Sequence, residues 1–139
     1  MKIVLNHENA SIPAKADAHA AGYDLFSCEN VIIKAWSRGL INTGVKLEIP
    51  ENHYGRIASR SGLGVKGFDI GAGVIDSNYR GEIKVVFINS TSTDKQISVR
   101  DKIAQLIFEK YYDFEFEQVQ KLSETERGEL GFGSSDIRK

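Results

Sequence analysis

Hydrophobic and polar residues alternate along the chain in a way that predicts many short β-strands. The segments with period-two alternation or β-branched, apolar runs are MKIVLN, YDLF, NVIIKAW, VKLEI, YGRIASR, EIKVVFIN, KIAQLIFEK and FEFEQV. The nearly continuous apolar run of EIKVVFIN suits a strand buried on both faces. No window carries a convincing 3.6-residue stripe, so helix is expected only as a turn or two around residues 61–66. Short strands at roughly even spacing indicate an all-β sandwich or barrel.

Composition narrows the possible partners and compartments. A chain of 139 residues is one domain by length. Its 18 basic and 19 acidic residues nearly cancel, so we expect no nucleic-acid partner and no membrane partner. A single cysteine, Cys28, excludes an internal disulfide and argues against a cysteine-cluster metal site. The N-terminal sequence shows no targeting signal, which predicts a soluble intracellular protein of the cytoplasm or nucleus.

Glycine is concentrated in the stretch from Tyr54 to Asn89, which contains seven of the 13 glycines of the chain. Glycine at this density weakens strands and leaves bare backbone, so a ligand is expected to approach there. Basic and hydroxyl side chains in the same stretch suggest a site for a nucleotide polyphosphate. No Gly-Lys-Ser/Thr sequence is present, so a Walker A loop is excluded.

Two segments of this stretch carry the candidate chemistry. Arg60, Ser61 and Gly62 place a guanidinium, a hydroxyl and an unhindered amide in succession, which are donors for phosphate. An N-cap serine beside a surface arginine would explain the same tripeptide. Asp76 follows an apolar, glycine-rich run, where it fits a general base acting on water. It equally fits an aspartate that begins a β-turn.

Three further features leave alternatives open. Asp24 lies among small and apolar neighbours, where it fits either an orienter of metal-bound water or the partner of a buried arginine. Gln105 lies in an apolar run and needs a hydrogen-bond partner if it points inward. Residues 123–139 are polar and glycine-rich around the aromatic Phe132, which suits a disordered tail or a flap over a planar ring and phosphates.

Five segments in order make the chain resemble the homotrimeric dUTP pyrophosphatase (dUTPase) family. They are Ala21–Leu25 (AGYDL), Gly55–Gly62 (GRIASRSG), Gly71–Gly81 (GAGVIDSNYRG), Arg100–Ile107 (RDKIAQLI) and Arg127–Ser134 (RGELGFGS). The resemblance implies a jelly-roll-like β-barrel with one very short helix, whose trimer builds three active sites from neighbouring subunits. The division implied is a barrel domain over 1–122 and a flexible active-site tail over 123–139 that closes on a neighbouring subunit.

The resemblance also implies an activity and residue roles. The reaction is hydrolysis of dUTP to dUMP and pyrophosphate with Mg²⁺, which keeps uracil out of DNA and supplies dUMP for thymidylate synthesis. Asp76 is expected to activate the water that attacks the α-phosphorus, and Asp24 to reach the magnesium through water. The implied substrate-binding residues are Arg60, Ser61, Gly62 and Gln105 for the phosphates, Gly73, Val74, Ile75, Tyr79 and Lys84 for deoxyuridine, and Arg127, Phe132 and Gly133 on the tail.

Several positions depart from the family's usual pattern without removing a catalytic group. Ser59 stands where proline is common, and Arg100, Leu130 and Asp136 replace glycines. We expect a changed turn shape at Arg100 and a less secure tail closure. Two other functions would fit parts of this pattern. A dCTP deaminase of the same fold would be longer and would use a glutamate in place of the Asp76 hairpin. A catalytically silent trimeric scaffold is disfavoured by Asp76, Arg127 and Phe132.

Overall fold

The computed structural model describes residues 1–131, which form ten β-strands and one helical turn. The elements are β1 (Lys2–Leu5), β2 (Tyr23–Phe26), β3 (Val31–Ile33), β4 (Ser37–Glu48), β5 (His53–Ala58), α1 (Ser61–Gly64), β6 (Phe68–Gly71), β7 (Val74–Ile75), β8 (Ile83–Asn89), β9 (Lys95–Ile97) and β10 (Lys102–Lys110). This confirms the all-β prediction and the short helix. Within the described part of the chain, no helix has the length and apolar character to cross a membrane. The intracellular location remains a prediction.

Two four-stranded antiparallel sheets enclose one core. Sheet A has the strand order β1-β4-β8-β6, and sheet B has the order β2-β10-β5-β7; β3 and β9 form a separate pair. The largest buried side chains come from both sheets, with Phe87 and Ile41 from sheet A and Leu25 and Leu106 from sheet B. Alternating apolar residues point inward because successive side chains of a strand face opposite sides. The arrangement is the expected jelly-roll-like barrel.

Strand β8 shows that one face of sheet A is not covered by the described chain. Its residues alternate, with Ile83, Val85 and Phe87 buried and Lys84 exposed. The prediction of a strand buried on both faces is therefore wrong for the single chain. The outward face nevertheless carries an apolar patch, since Val86 is half-buried and the side chain opposite it on β4, Leu40, is 54% exposed.

The predicted strand FEFEQV is also not formed. The last described strand ends at Lys110, and residues 111–131 contain no strand, with Phe114 and Phe116 fully or largely exposed. A strand needs a neighbour for its backbone N–H and C=O groups, and no described strand of the same chain pairs with this segment. The alternating sequence favours a strand, but within the described chain the segment has no strand to pair with. The domain boundary at residue 122 remains a prediction.

Candidate active site

Asp24 is the buried centre of a charged cluster where β2, β5 and β10 meet. Its side chain is 9% exposed, and its two oxygens face two cations. The Arg60 guanidinium donates through Nε to Oδ1 at 2.9 Å, and Lys102 Nζ lies 2.7 Å from Oδ2. Oδ2 receives no well-aligned hydrogen bond from the described residues, so it meets Lys102 as an ion pair. The structure therefore pairs Asp24 with an arginine, which is one of the two alternatives that the sequence left open for this residue.

Arg60, Ser61 and Gly62 lie at an exposed turn that connects sheet B to sheet A. Arg60 is the N-cap of α1, with extended backbone (φ −90°, ψ 135°). Its carbonyl accepts the N–H groups of Leu63 and Gly64 at 2.8 and 2.9 Å. A Cβ added at Gly62 would meet no described atom within 4 Å, so the backbone there is open to a ligand. The turn thus presents backbone amides beside a guanidinium, which suits an anion.

Gln105 links this turn to the strands beneath it. It lies on β10 opposite Asp24 on one side and Ala58 on the other. Its Nε2 donates to the carbonyl of Ser59 at 2.8 Å, which supplies the partner that an inward-facing amide needs. Its Oε1 occupies the space that a Cβ on Gly22 would need, so a side chain at position 22 would displace the amide. Gln105 therefore holds the backbone that leads into Arg60.

The chain crosses from sheet A to sheet B at Ala72 and Gly73. Both have positive φ, +55° and +117°, which redirects the backbone from β6 to β7. The Gly73 carbonyl accepts the Ile57 N–H at 2.8 Å, and a Cβ on Gly73 would lie 2.6 Å from the Ile57 carbonyl oxygen. This approach requires glycine. Beyond the crossing, β7 pairs with Gly55 and Arg56 of β5.

Asp76 begins the turn that follows β7. Its carbonyl accepts the Tyr79 N–H at 3.1 Å, and the Tyr79 hydroxyl donates to the Glu82 carbonyl at 3.0 Å. The Arg80 guanidinium donates to the Ser77 carbonyl at 2.7 Å and closes the turn. One side of this segment borders a cleft of about 530 Å³, lined by Tyr54, Val74, Asp76, Ser77, Asn78 and Tyr111. Asp76 is the carboxylate among these lining residues.

An ionic network supports the wall of the cleft. Glu109 on β10 accepts two hydrogen bonds from Arg56 Nε, one from Arg56 Nη2 at 2.8 Å, and one from the Tyr54 hydroxyl. Hydrogen bonds from Arg56 and then Tyr54 lower the pKa of Glu109 to about 2. The bond to Glu109 is also the main cause that raises the pKa of Tyr54 and the pKa of Arg56. Tyr54 is therefore held as a neutral donor at the cleft.

The predicted site residues fall into two groups within one chain. Asp24, Arg60, Ser61, Gly62 and Gln105 lie around the turn after β5, whereas Gly73, Val74, Ile75, Asp76 and Tyr79 lie on the segment paired with the start of β5. In the described residues, no side-chain hydrogen bond or ion pair joins Asp76 to the first group. Strand β5 is the physical link between them.

Two other predicted residues, Lys84 and Arg127, lie apart from both groups. Lys84 is exposed on β8 opposite Asn42, although continuing the β6–β8 register past Gly71 and Val86 would set it across from Gly73. Arg127 lies in an exposed turn and donates to the Leu130 carbonyl at 2.9 Å. Phe132 and Gly133 are outside the described residues, as is Asp136.

Sequence reasoning missed three residues of these groups. Lys102 contacts Asp24, and Tyr54 and Tyr111 line the cleft with Asp76. Lys102 is the first residue of β10, the strand that contains Gln105. A basic residue at the end of an apolar strand is the feature of the sequence that could have indicated its role. Tyr111 directly follows β10, at the point where the hydrophobic periodicity ends.

The donor side chains of the described residues do not form a protein cage for a metal. Within residues 1–131, no three His, Cys, Asp or Glu side chains are grouped as ligands. Asp24 places one carboxylate beside the phosphate-binding turn, with Oδ1 bonded to Arg60 and Oδ2 ion-paired with Lys102. A carboxylate of this kind fits Mg²⁺ that keeps its waters and is held largely by substrate phosphates.

Comparisons with known proteins agree with these features. A family model described as dUTPase matches residues 8–136. The deoxyuridine 5′-triphosphate nucleotidohydrolase of swinepox virus (strain Kasza) is 48% identical over 138 residues, covering 99% of this chain and 97% of the relative. The dUTPase of Staphylococcus bacteriophage 80alpha, solved with dUPNHPP, superposes with a TM-score of 0.90 at 30% identity and 96% coverage of both chains. A mutant dUTPase from phage phi11 of S. aureus, described as coordinating a structural Mg(II) ion, gives a TM-score of 0.80 at 28% identity, with 86% of this chain and 96% of the other covered.

Proposed function

Because this chain belongs to the dUTPase family and hydrolyses dUTP to dUMP, we propose that Asp76 is the base that activates the attacking water. The observation that carries this proposal is the position of Asp76 as the carboxylate of the cleft beside β5. Water attacks the α-phosphorus, its proton passes to the Asp76 carboxylate, and the bond from the α-phosphorus to the bridging oxygen breaks. The products are dUMP and pyrophosphate. Catalysis of this kind rests on positioning and charge stabilisation.

Arg60, Ser61 and Gly62 bind the phosphates in this proposal. The chain has a formal net charge of −1, so a polyphosphate must be neutralised locally rather than by a general field. Asp24 holds the Arg60 guanidinium through Nε, which leaves its terminal nitrogens available to phosphate oxygens. Gln105 contributes by fixing the backbone at Ser59.

Deoxyuridine binds along the segment from Gly73 to Tyr79, with Lys84 contributing through its backbone. The absence of a side chain at Gly73 lets this segment lie against Ile57 of β5. Backbone N–H and C=O groups along the segment can then read the uracil edge. Steric fit alone disfavours the thymine methyl group by about 1–3 kcal/mol. Rejection of cytosine depends instead on backbone hydrogen-bonding groups that pair with uracil and that cytosine would leave unpaired. Tyr79 packs beneath the sugar, with its ring held by the hydroxyl bond to Glu82.

Magnesium accompanies the substrate. Asp24 would hold this ion through a water molecule, and the substrate phosphates would supply most of the remaining ligands. When bound, the ion supplies charge neutralisation to the triphosphate. Asp24 keeps Arg60 and Lys102 oriented on either side. The structural Mg(II) ion of the phage phi11 relative supports a role for magnesium in the family.

The working enzyme is a homotrimer with sites between subunits. Three features of the single chain support this: the separation of the two site groups, the partly exposed apolar face of sheet A, and the strand-forming segment with exposed Phe114 and Phe116. Such a segment gains backbone partners when it is added to a sheet of another copy. The same path carries Arg127, Phe132 and Gly133 to a neighbouring site, where the tail closes over uracil and the phosphates.

Substitution of Asp76 tests the base. Asp76→Asn should abolish pyrophosphate release while retaining affinity for dUPNHPP, because the amide keeps the shape but cannot accept the proton. Asp17→Asn is the matched control, since Asp17 is an exposed aspartate whose Oδ1 accepts the His19 N–H. Turnover by Asp76→Asn at the rate of the control would exclude Asp76 as the base.

A mixing experiment tests the shared site. Asp76→Asn and a variant ending at residue 122 should each be inactive, and unfolding and refolding them together should restore activity. Restoration follows because hybrid trimers contain some sites with an intact Asp76 and an intact tail from different subunits. A monomer by light scattering, or no recovery in the mixture, would contradict the proposal.

A further inference from the structure

Ser59 connects the phosphate-binding turn to both sheets. Its carbonyl accepts Gln105 Nε2 from β10 of sheet B at 2.8 Å. Its hydroxyl donates to Oδ1 of Asp69, which lies on β6 of sheet A. The same Oδ1 accepts the Ile70 N–H at 2.7 Å, which fixes the carboxylate. One residue therefore ties the start of the turn to sheet B through its backbone and to sheet A through its side chain.

The turn between these anchors has little stability of its own. Helix α1 has four residues, and the side chain of its N-cap residue, Arg60, makes no capping hydrogen bond to the helix. A single helical turn is marginal without outside contacts. Among the described strands, no ladder joins the two that flank the turn, because β5 pairs with β7 and β10 whereas β6 pairs with β8. The Ser59–Asp69 bond closes the base of the segment that contains Arg60, Ser61 and Gly62.

We propose that Ser59 and Asp69 are positioning residues that hold Arg60–Gly62 in the geometry required for phosphate binding, an inference that rests on the function proposed above. Asp24 fixes the guanidinium of Arg60 by its side chain. The Ser59–Asp69 bond fixes the backbone that carries it, together with the Ser61 and Gly62 amides. Neither positioning residue touches the reacting atoms.

Electrostatics favour the bond under working conditions. The Ser59 hydroxyl and then the Ile70 N–H lower the pKa of Asp69 below its ordinary value of 3.8. Asp69 is thus ionised at neutral pH and accepts a charge-assisted hydrogen bond, which is stronger than a bond between neutral groups.

Inhibition constants of two ligands separate a positioning role from a merely structural one. Ser59→Ala should raise the Ki of dUPNHPP about three- to tenfold, the range expected for one hydrogen bond. It should leave the Ki of deoxyuridine, which has no phosphate, unchanged. Asp69→Ala should give the same pattern, and the double variant should be no weaker than either single variant, because the Ser59–Asp69 bond is lost in all three. Ser37→Ala is the control, since it removes a serine hydroxyl that donates to the Lys34 carbonyl away from the site.

Two results would overturn the inference. Unchanged Ki for dUPNHPP in Ser59→Ala, or equal losses for both ligands, would exclude a role in phosphate positioning. Arg60→Ala distinguishes failure of the positioning role of Ser59 from failure of the phosphate site itself. If it weakens dUPNHPP while Ser59→Ala does not, the positioning inference fails and the phosphate site stands. If Arg60→Ala has no effect either, the proposed phosphate site fails and the inference fails with it.

Discussion

Alanine at Gly73 should inactivate the enzyme while leaving the barrel folded. The added Cβ would lie 2.6 Å from the Ile57 carbonyl oxygen, closer than real contacts of this kind. The backbone at φ +117° is also outside the regions that residues with a Cβ adopt readily. Strain of this type costs about 1–3 kcal/mol, and the steric contact brings the total to roughly 2–4 kcal/mol.

The strain should be relieved at the hairpin. Strand β7 contributes two residues, which pair with Gly55 and Arg56. Breaking two backbone hydrogen bonds costs about 1–3 kcal/mol, which is comparable with the strain. The segment from Gly73 to Tyr79 should therefore move away from β5 while the core stays intact. A displacement of about 1 Å at reacting groups can reduce activity about 100-fold.

Pyrophosphate release and thermal melting measure the two effects separately. For Gly73→Ala we expect kcat/KM to fall at least about 100-fold, while the loss of about 1–3 kcal/mol of hairpin hydrogen bonds lowers Tm by about 4–12 °C and leaves the barrel folded. Gly64→Ala is the control, because its Cβ would meet no described atom within 4 Å. Wild-type kcat/KM in Gly73→Ala would refute the reasoning.

Two further predictions concern stability. Arg100 has φ +69° at the third position of the turn in which the Ser98 carbonyl accepts the Asp101 N–H. Arg100→Gly should relieve about 1–2 kcal/mol of backbone strain, part of which is offset by the greater backbone entropy of glycine in the unfolded chain, and Tm should rise by about 2–4 °C. A lower Tm would contradict this prediction. The folded-state pKa of Glu109 is lowered from 4.5 to about 2, so its stabilisation is present above pH 4.5 and is lost as pH falls toward 2. Glu109→Gln should therefore melt below wild type at pH 7, and urea titrations should show the difference shrinking across that window; parallel curves would exclude the linkage.

The sequence predicted those strands whose side chains alternate against the core. The patterns of β1, β2, β8 and β10 were recognisable, and β4 was recognised only from Val45. Its first half, SRGLINTG, contains two glycines and several polar residues, so local propensity is weak there. Long-range pairing with β8 from Ser37 to Val45, interrupted by an irregularity after Asn42, makes it a strand regardless. Tertiary context decided this element.

The site was predictable by residue type but not by contact. Asp24 and Arg60 were both identified as candidates, yet their ion pair and the third member, Lys102, depend on β10 lying between β2 and β5. Likewise, the close approach of Gly73 to Ile57 arises from a crossing between sheets that spacing does not encode. The FEFEQV alternation was real, but a strand also requires a neighbour.

The central place of β10 in sheet B has a consequence for biosynthesis. Strands β2 and β5 are separated by β10, the last of the described strands to leave the ribosome. Until Lys102–Lys110 has been made, both earlier strands have open edges that can pair with other nascent chains. Sheet B closes only after β10 has been translated, through contacts between distant parts of the chain, which are slow to form. A message cut short before the codon for Lys110 should therefore yield aggregates rather than a smaller folded barrel.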